Sequence, residues 1–287
     1  MSNFMTKNFY KQREDFEKSA AVRDKKFSFP DGVVESRDIP YIADGQKEHL
    51  MDVYRPEGKE NETLPVIINI HGDGYNTVDG GWFLVNGEDQ DTICKKYEAV
   101  WKQIAERFAK YDEHLIFESM NEEFDGEYSD PDPDYYANLN HYNQIFVDTV
   151  RATGENNTHR WLLVPGWNTN IQYTVGDYGF EMPTDGSCSA GENRLMLSVH
   201  YYDPWDYCGT ENIKTYLWGE KGDELVSAGL NQKAVASWGR EDYLDEQFQT
   251  LKEQYVDKQI PVIIGEYGAI DKSTADSNHV GEIQSNR

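Results

Sequence analysis

Five short apolar runs decide how this chain is read: VIINIH (66–71), LIFESMNE (115–122), WLLVPGW (161–167), LMLSVHYY (195–202) and VIIGEYG (262–268). Each is rich in Val, Ile and Leu without strict alternation, as strands buried on both faces require. Between the first two, Ile93, Tyr97, Val100, Trp101, Ile104 and Phe108 fall on one face of a helix. Leu139, Tyr142, Phe146 and Val150 mark a second helix, which Gly154 is placed to end. Leu244, Phe248, Leu251 and Tyr255 mark a third, just before the last run. Strand–helix alternation predicts an α/β fold around a parallel sheet, either doubly wound or closed as a barrel.

The front of the chain has a different rhythm. Residues 2–25 are polar and helix-tolerant. Val33–Tyr41 and His49–Tyr54 then alternate like the two strands of an antiparallel hairpin, joined at an Asp44-Gly45 turn. The polar connection from Glu57 to Thr63 is the best boundary, dividing the chain into residues 1–64 and 65–287.

Charge narrows the partners. Lys and Arg number 27 against 52 Asp and Glu, so the net charge is −25 over 287 residues. Such a field repels nucleic acid, anionic membranes and acidic polymers, and favours a neutral partner or a cation. Aromatic residues make up 13 %, including 7 Trp and 19 Tyr. That content belongs to a folded protein with aromatic surface to spare. No apolar run approaches the ~20 residues of a membrane span. The first twenty residues lack the apolar core of a secretory signal. Cys94, Cys188 and Cys208 are odd in number and lack metal-ligand spacing, which predicts buried free thiols, with a Cys188–Cys208 pair as the alternative in an exported protein. Asp73, Asp79, Asp89 and Asp91 lack calcium-loop spacing and read as a solvated acidic loop. No metal or cofactor is called for.

Reactive residue types cluster where the runs end: His71, Asn121-Glu122, His200 and Tyr202, and Glu266-Tyr267. In a (β/α) barrel the active site is built at the carboxyl ends of the strands. Two carboxylates from different strands facing one cleft are the minimum apparatus for glycoside hydrolysis, one protonated to serve the leaving oxygen and one ionised to attack. An Asn beside the first can bond a sugar hydroxyl, while His and Tyr orient the second. Trp167 and Trp205, at the end of one run and just beyond another, offer flat faces for stacking on pyranose rings.

The strings LIFESMNE, WLLVPGWNTN, LMLSVHYYDPW and PVIIGEYGAID resemble glycoside hydrolase family 5, and within it the bacterial endo-β-glucanases. The resemblance runs from about Pro65 to Ala275. It implies a (β/α)₈ TIM-type barrel in which the five runs are strands three to seven. It further implies an endo-β-1,4-glucanase of retaining mechanism, with Glu122 as acid/base and Glu266 as nucleophile. Asn121 then contacts the sugar 2-hydroxyl, and His71, His200 and Tyr202 line the subsite. Glu123 stands where the family often has Pro and reads as an exposed loop carboxylate. The family's early-strand Arg and eighth-strand Trp have no visible counterpart. The expectation is therefore an incomplete barrel with impaired turnover, preceded by an antiparallel hairpin.

Residues 30–75, with DIPYIADGQKEHLMDVYRPEG followed by LPVIINIHGDGY, resemble the start of an α/β-hydrolase esterase, which suggests a chimeric chain. A carboxylesterase is therefore an alternative, with Ser189 in GSCSAG (186–191) as the nearest approach to its nucleophile elbow. A third reading is an inactive carbohydrate-binding remnant. On the leading reading the partner is a β-glucan, and the carboxyls of Glu122 and Glu266 should stand about 5–5.5 Å apart.

Overall fold

A computed structural model describes residues 31–40, 50–59, 62, 66–68, 83, 85–125, 132–191, 193–210, 214–272, 275–276 and 281. The chain divides into two units, Met1–Leu64 and Pro65–Arg287. In the first, β1 (Val33–Pro40) pairs antiparallel with β2 (Leu50–Pro56), from Val33 opposite Pro56 to Pro40 opposite Leu50. The register shifts between Ser36 and Ile39, where Asp38 takes a left-handed φ of 55°. The hairpin thus matches the sequence expectation, while its Asp44-Gly45 turn, Tyr41 and His49 lie outside the described residues.

In the second unit, β3 (Val66–Ile68), β4 (Leu115–Glu118), β5 (Leu162–Asn170), β6 (Leu195–Tyr201) and β7 (Val262–Tyr267) form one parallel sheet in that order. The helices introduced in chain order are α1 (Gln90–Phe108), α2 (Pro133–Ala152), α3 (Ile171–Val175), α4 (Trp205–Cys208), α5 (Gly219–Ser227) and α6 (Glu241–Gln254). Strictly sequential strand order has no reversal point. That rules out the doubly wound arrangement for this sheet and leaves the winding of a (β/α) barrel.

Local signals account for the elements. Asp89 caps α1 by accepting from the Thr92 N–H at 3.1 Å. Asp132 precedes Pro133 at the start of α2, and Gly154 follows its end at φ 78°. The expected α2 stripe of Leu139, Tyr142, Phe146 and Val150 is fully buried. The α1 stripe buries Ile93, Tyr97 and Trp101. Trp101 packs edge-on against Phe146, and Tyr97 stacks on Phe83. β5 and β6 are buried nearly throughout, as non-alternating runs predict.

β7 departs from that pattern. Ile264 is 40 % and Tyr267 74 % exposed, and among the described residues β7 pairs only with β6. No helix among the described residues is long and apolar enough to cross a membrane. The cysteines are free, but Cys94 and Cys188 are half-buried rather than buried. Only Cys208 is buried, which pushes its thiol up to about 12.

Candidate active site

The site forms at the carboxyl ends of β4 to β7. Strand β4 stops at Glu118, earlier than expected, so Asn121 and Glu122 lie in the turn that follows it. His200 lies within β6 and Glu266 within β7, directly opposite each other in the register. Their proximity follows from that pairing, since both side chains leave the sheet on one face.

His200 is the hub. Its Nδ1 lies 2.8 Å from Glu122 Oε1 and 3.7 Å from Glu266 Oε2, with the ring almost fully buried. The two glutamates are each about a third exposed, at 31 % and 30 %. One oxygen from each and a His200 ring nitrogen all lie within 4.8 Å of one another. The three could donate to a divalent cation, yet the spacing equally suits two carboxyls flanking a sugar acetal. Tyr202, just past β6, donates its hydroxyl to Glu266 Oε2 at 3.0 Å. Burial first, then that carboxylate, push the phenol well above its ordinary value. Tyr202 therefore stays a proton donor at neutral pH.

Asn121 is 3 % exposed, and among the described residues neither polar atom of its side chain has a hydrogen-bond partner. Buried amides are normally satisfied, so this one is poised for a bound group. Trp205 is 58 % exposed and meets Tyr202 edge-on at 6.0 Å. A Cβ on Gly209 would lie 2.3 Å from the Trp205 ring. Glycine there lets the backbone brace the indole, while most of its surface stays open.

Two expectations need correction. Trp167 is 1 % exposed and stacks on Tyr136 at 4.9 Å, leaving too little surface for a sugar. Its place between β5 and α2 makes it core. Glu123 is not an exposed loop carboxylate but 1 % exposed, accepting from the Val85 N–H at 3.3 Å. His71 lies outside the described residues.

The sequence reading missed a supporting layer. Glu118 is 8 % exposed and accepts the Ser198 hydroxyl at 2.5 Å. Burial raises its carboxyl above the ordinary 4.5, against the pull of the Ser198 bond and His200. The folded state therefore holds its proton more tightly than the unfolded one. Stability falls as pH rises from 4.5 through the raised value. Glu118→Gln keeps the acceptor and removes the charge. Its melting temperature should rise relative to the parent as pH goes from about 4 to about 7, with the two converging at the acid end. A difference independent of pH would remove the basis for this ionisation.

The second missed feature is backbone strain. Glu122, Asn168 and Thr169 have φ of 46°, 50° and 50°. Each left-handed residue costs about 1–2 kcal/mol, and a β-branched one is a clear outlier. Their only sequence signal is the Asn-Thr-Asn string at 168–170, favourable to turns at two positions of three.

The site bears on the esterase alternative too. Ser189 sits in a turn ahead of β6, with its hydroxyl donating to Thr158 Oγ1 at 2.9 Å. A nucleophile elbow requires the serine between a preceding strand and a following helix. That alternative is not favoured.

The family model for cellulase, glycosyl hydrolase family 5, matches residues 59–285. Endoglucanase A of Paenibacillus barcinonensis is 52 % identical over 76 % of this chain and 54 % of its own length. A family 5 xyloglucanase from Paenibacillus pabuli, solved with a ligand, superposes with a TM-score of 0.71. It is 53 % identical, over 79 % of this chain and 62 % of that one. A GH5-4 broad-specificity endoglucanase from Bacteroides salanitronis gives a TM-score of 0.62 at 39 % identity, covering 72 % of this chain and 53 % of its own. The chain thus spans 53 % to 62 % of the length of these relatives.

Proposed function

The chain belongs to glycosyl hydrolase family 5, and on that premise we propose that it cleaves internal β-1,4-glucosidic bonds of cellulose or a related β-glucan with retention at the anomeric carbon. The observation that carries the reading is the pair of half-buried carboxylates, Glu122 and Glu266, with oxygens within 4.8 Å. Retaining enzymes hold the two carboxyls about 5–5.5 Å apart, whereas inverting ones leave about 6.5–9.5 Å for a water.

In the proposed mechanism Glu266 attacks the anomeric carbon while the bond to the leaving oxygen breaks. Glu122 gives that oxygen its proton. Glu122, now a carboxylate, takes a proton from water, which attacks the same carbon and releases Glu266. Tyr202 aims Glu266 through its 3.0 Å bond. Asn121 offers its amide, unpartnered among the described residues, to a sugar hydroxyl, and Trp205 its open ring to a pyranose face. His200 keeps the glutamates in one frame. His71 keeps its subsite role here as part of the same assignment.

The five strands are proposed to be strands three to seven of an eight-stranded barrel. Residues 65–287 then form the partial barrel, and residues 1–64 a separate segment. The unit division at Leu64 and the family match beginning at residue 59 support that separation. The esterase-like origin of residues 30–75 rests on their sequence alone. Glucan and xyloglucan both fit as substrates, since the relatives include an endoglucanase and a xyloglucanase.

The test is leaving-group dependence. Glu122→Ala should slow glucan cleavage by about 10²–10⁴-fold, yet spare an aryl cellobioside whose phenol leaves without protonation. Equal loss on both substrates would sink the assignment of roles. Parallel assay of a short acyl ester should give no turnover. Trp205→Ala should raise KM for oligosaccharide about tenfold, matching about 1.4 kcal/mol of stacking, with kcat little changed. An unchanged KM would remove Trp205 from the subsite.

A further inference from the structure

Strand β5 reaches the site through a bulge. Pro165 pairs with Ser198 and Asn170 with His200, so five steps along β5 are matched by two along β6. The surplus is absorbed at Asn168 and Thr169, both left-handed. Bulges beside active sites re-aim side chains, and outliers of this kind persist only where surrounding structure imposes them.

Here the imposed geometry has a definite target. Thr169 is completely buried, and its Oγ1 accepts the backbone N–H of Glu122 at 3.0 Å. The neighbouring Asn168 N–H donates to the Glu123 carbonyl at 3.0 Å. The turn carrying Glu122, itself left-handed at φ 46°, is thus clasped by two bonds from one bulge. Below the bulge Trp167 is locked in the core, so the clasp has a rigid base. Gly166 lets α3 pass close by, since a Cβ there would lie 2.2 Å from Thr174 Oγ1.

We propose that Thr169 is a positioning residue for Glu122: its hydroxyl, presented by the β5 bulge, fixes the left-handed backbone that points the Glu122 carboxyl at His200 and at the leaving oxygen. This rests on the reading of Glu122 as general acid. A general acid must hold its proton within hydrogen-bond reach of one particular oxygen, so a small rotation at its Cα is costly. Glutamate does not hold a left-handed φ by itself. The threonine hydroxyl supplies what a side chain on the turn does not.

The experiment compares Thr169→Val, which keeps the shape and removes the acceptor, with Thr169→Ser, which keeps the acceptor. Thr169→Ala is the second variant should valine fail to fold. Near-ultraviolet circular dichroism establishes folding. Thr169→Val should lower glucan turnover on the order of 10²-fold and an aryl cellobioside with an acidic phenol less than about threefold. Thr169→Ser should stay within about twofold on both. In nitrogen-15-labelled protein, the Nδ1 resonance of His200 should shift in Thr169→Val and not in Thr169→Ser, because the 2.8 Å contact with Glu122 is disturbed.

That spectroscopic arm needs no turnover and decides the proposal even if glucan proves not to be the substrate. If Glu122→Gln shows no leaving-group dependence, the general-acid reading fails while a shifted His200 resonance still supports the clasp. An unshifted resonance in folded Thr169→Val and Thr169→Ala overturns the proposal. Where Glu122→Gln does show leaving-group dependence, so does equal loss on both aglycones in Thr169→Val, and in either case so does a Thr169→Ser protein as impaired as the valine variant.

Discussion

Glu266→Ala should reduce hydrolysis of every β-glucoside by roughly 10⁴-fold or more, the scale on which loss of a covalent nucleophile is felt. In the proposed mechanism the glycosyl-enzyme bond forms at the Glu266 oxygen, and alanine leaves no atom to form it. Leaving-group activation should not rescue the variant, because departure is not the step removed. Added azide should. It fits the space vacated by the carboxylate, attacks the same face and yields a glycosyl azide of inverted configuration. His200 and Glu122 would stay in place, since their 2.8 Å contact does not involve Glu266. Detection of the inverted azide adduct is the measurement. Retention of glucan cleavage above about a hundredth of the parent rate would remove Glu266 from the nucleophile role.

Some of this was legible in the sequence for a simple reason. Buried parallel strands write themselves as apolar runs, so β4 to β7 were found within a few residues of their ends. Residue types at the ends of those runs then gave Glu122, His200, Tyr202 and Glu266, four groups that the fold brings together. Aromatic residues were harder, because a tryptophan at or after the end of an apolar run looks the same whether it faces solvent or core. Trp205 and Trp167 carry the same local signal. They diverge through partners distant in sequence, Gly209 beneath one and Tyr136 on α2 against the other. Glu123 was misread for the same reason, its acceptor role depending on Val85, thirty-eight residues away. The clasp of Thr169 on Glu122 spans forty-seven residues and rests on a bulge, which apolar patterning does not encode.

Another large effect is expected at the opposite end of the sheet. Arg160 is fully buried just ahead of β5. Its Nε donates to Asn157 Oδ1 at 2.8 Å, and its two terminal nitrogens reach the carbonyls of Asp112 at 2.7 Å, Leu115 at 2.6 Å, Tyr111 at 2.5 Å and Phe108 at 3.3 Å. The guanidinium also lies 4.8 Å above the Phe117 ring. Burial lowers its pKa to about 10, so it remains charged at neutral pH. One side chain thus closes the end of α1, the loop that follows and the start of β4. Arg160→Ala would strip partners from four carbonyls and leave a cavity, at a cost of about 3–5 kcal/mol. Domains of this size hold about 5–15 kcal/mol in total, so the variant should be partly unfolded in mild urea. Arg160→Lys, which keeps the charge but fewer directed donors, should lie between the two. The bonds sit at the amino ends of the strands, where this architecture keeps stability apart from chemistry. The loss should therefore appear in the urea midpoint, with turnover per folded molecule close to the parent's. A midpoint within the error of the parent would mean that water replaces the guanidinium at little cost.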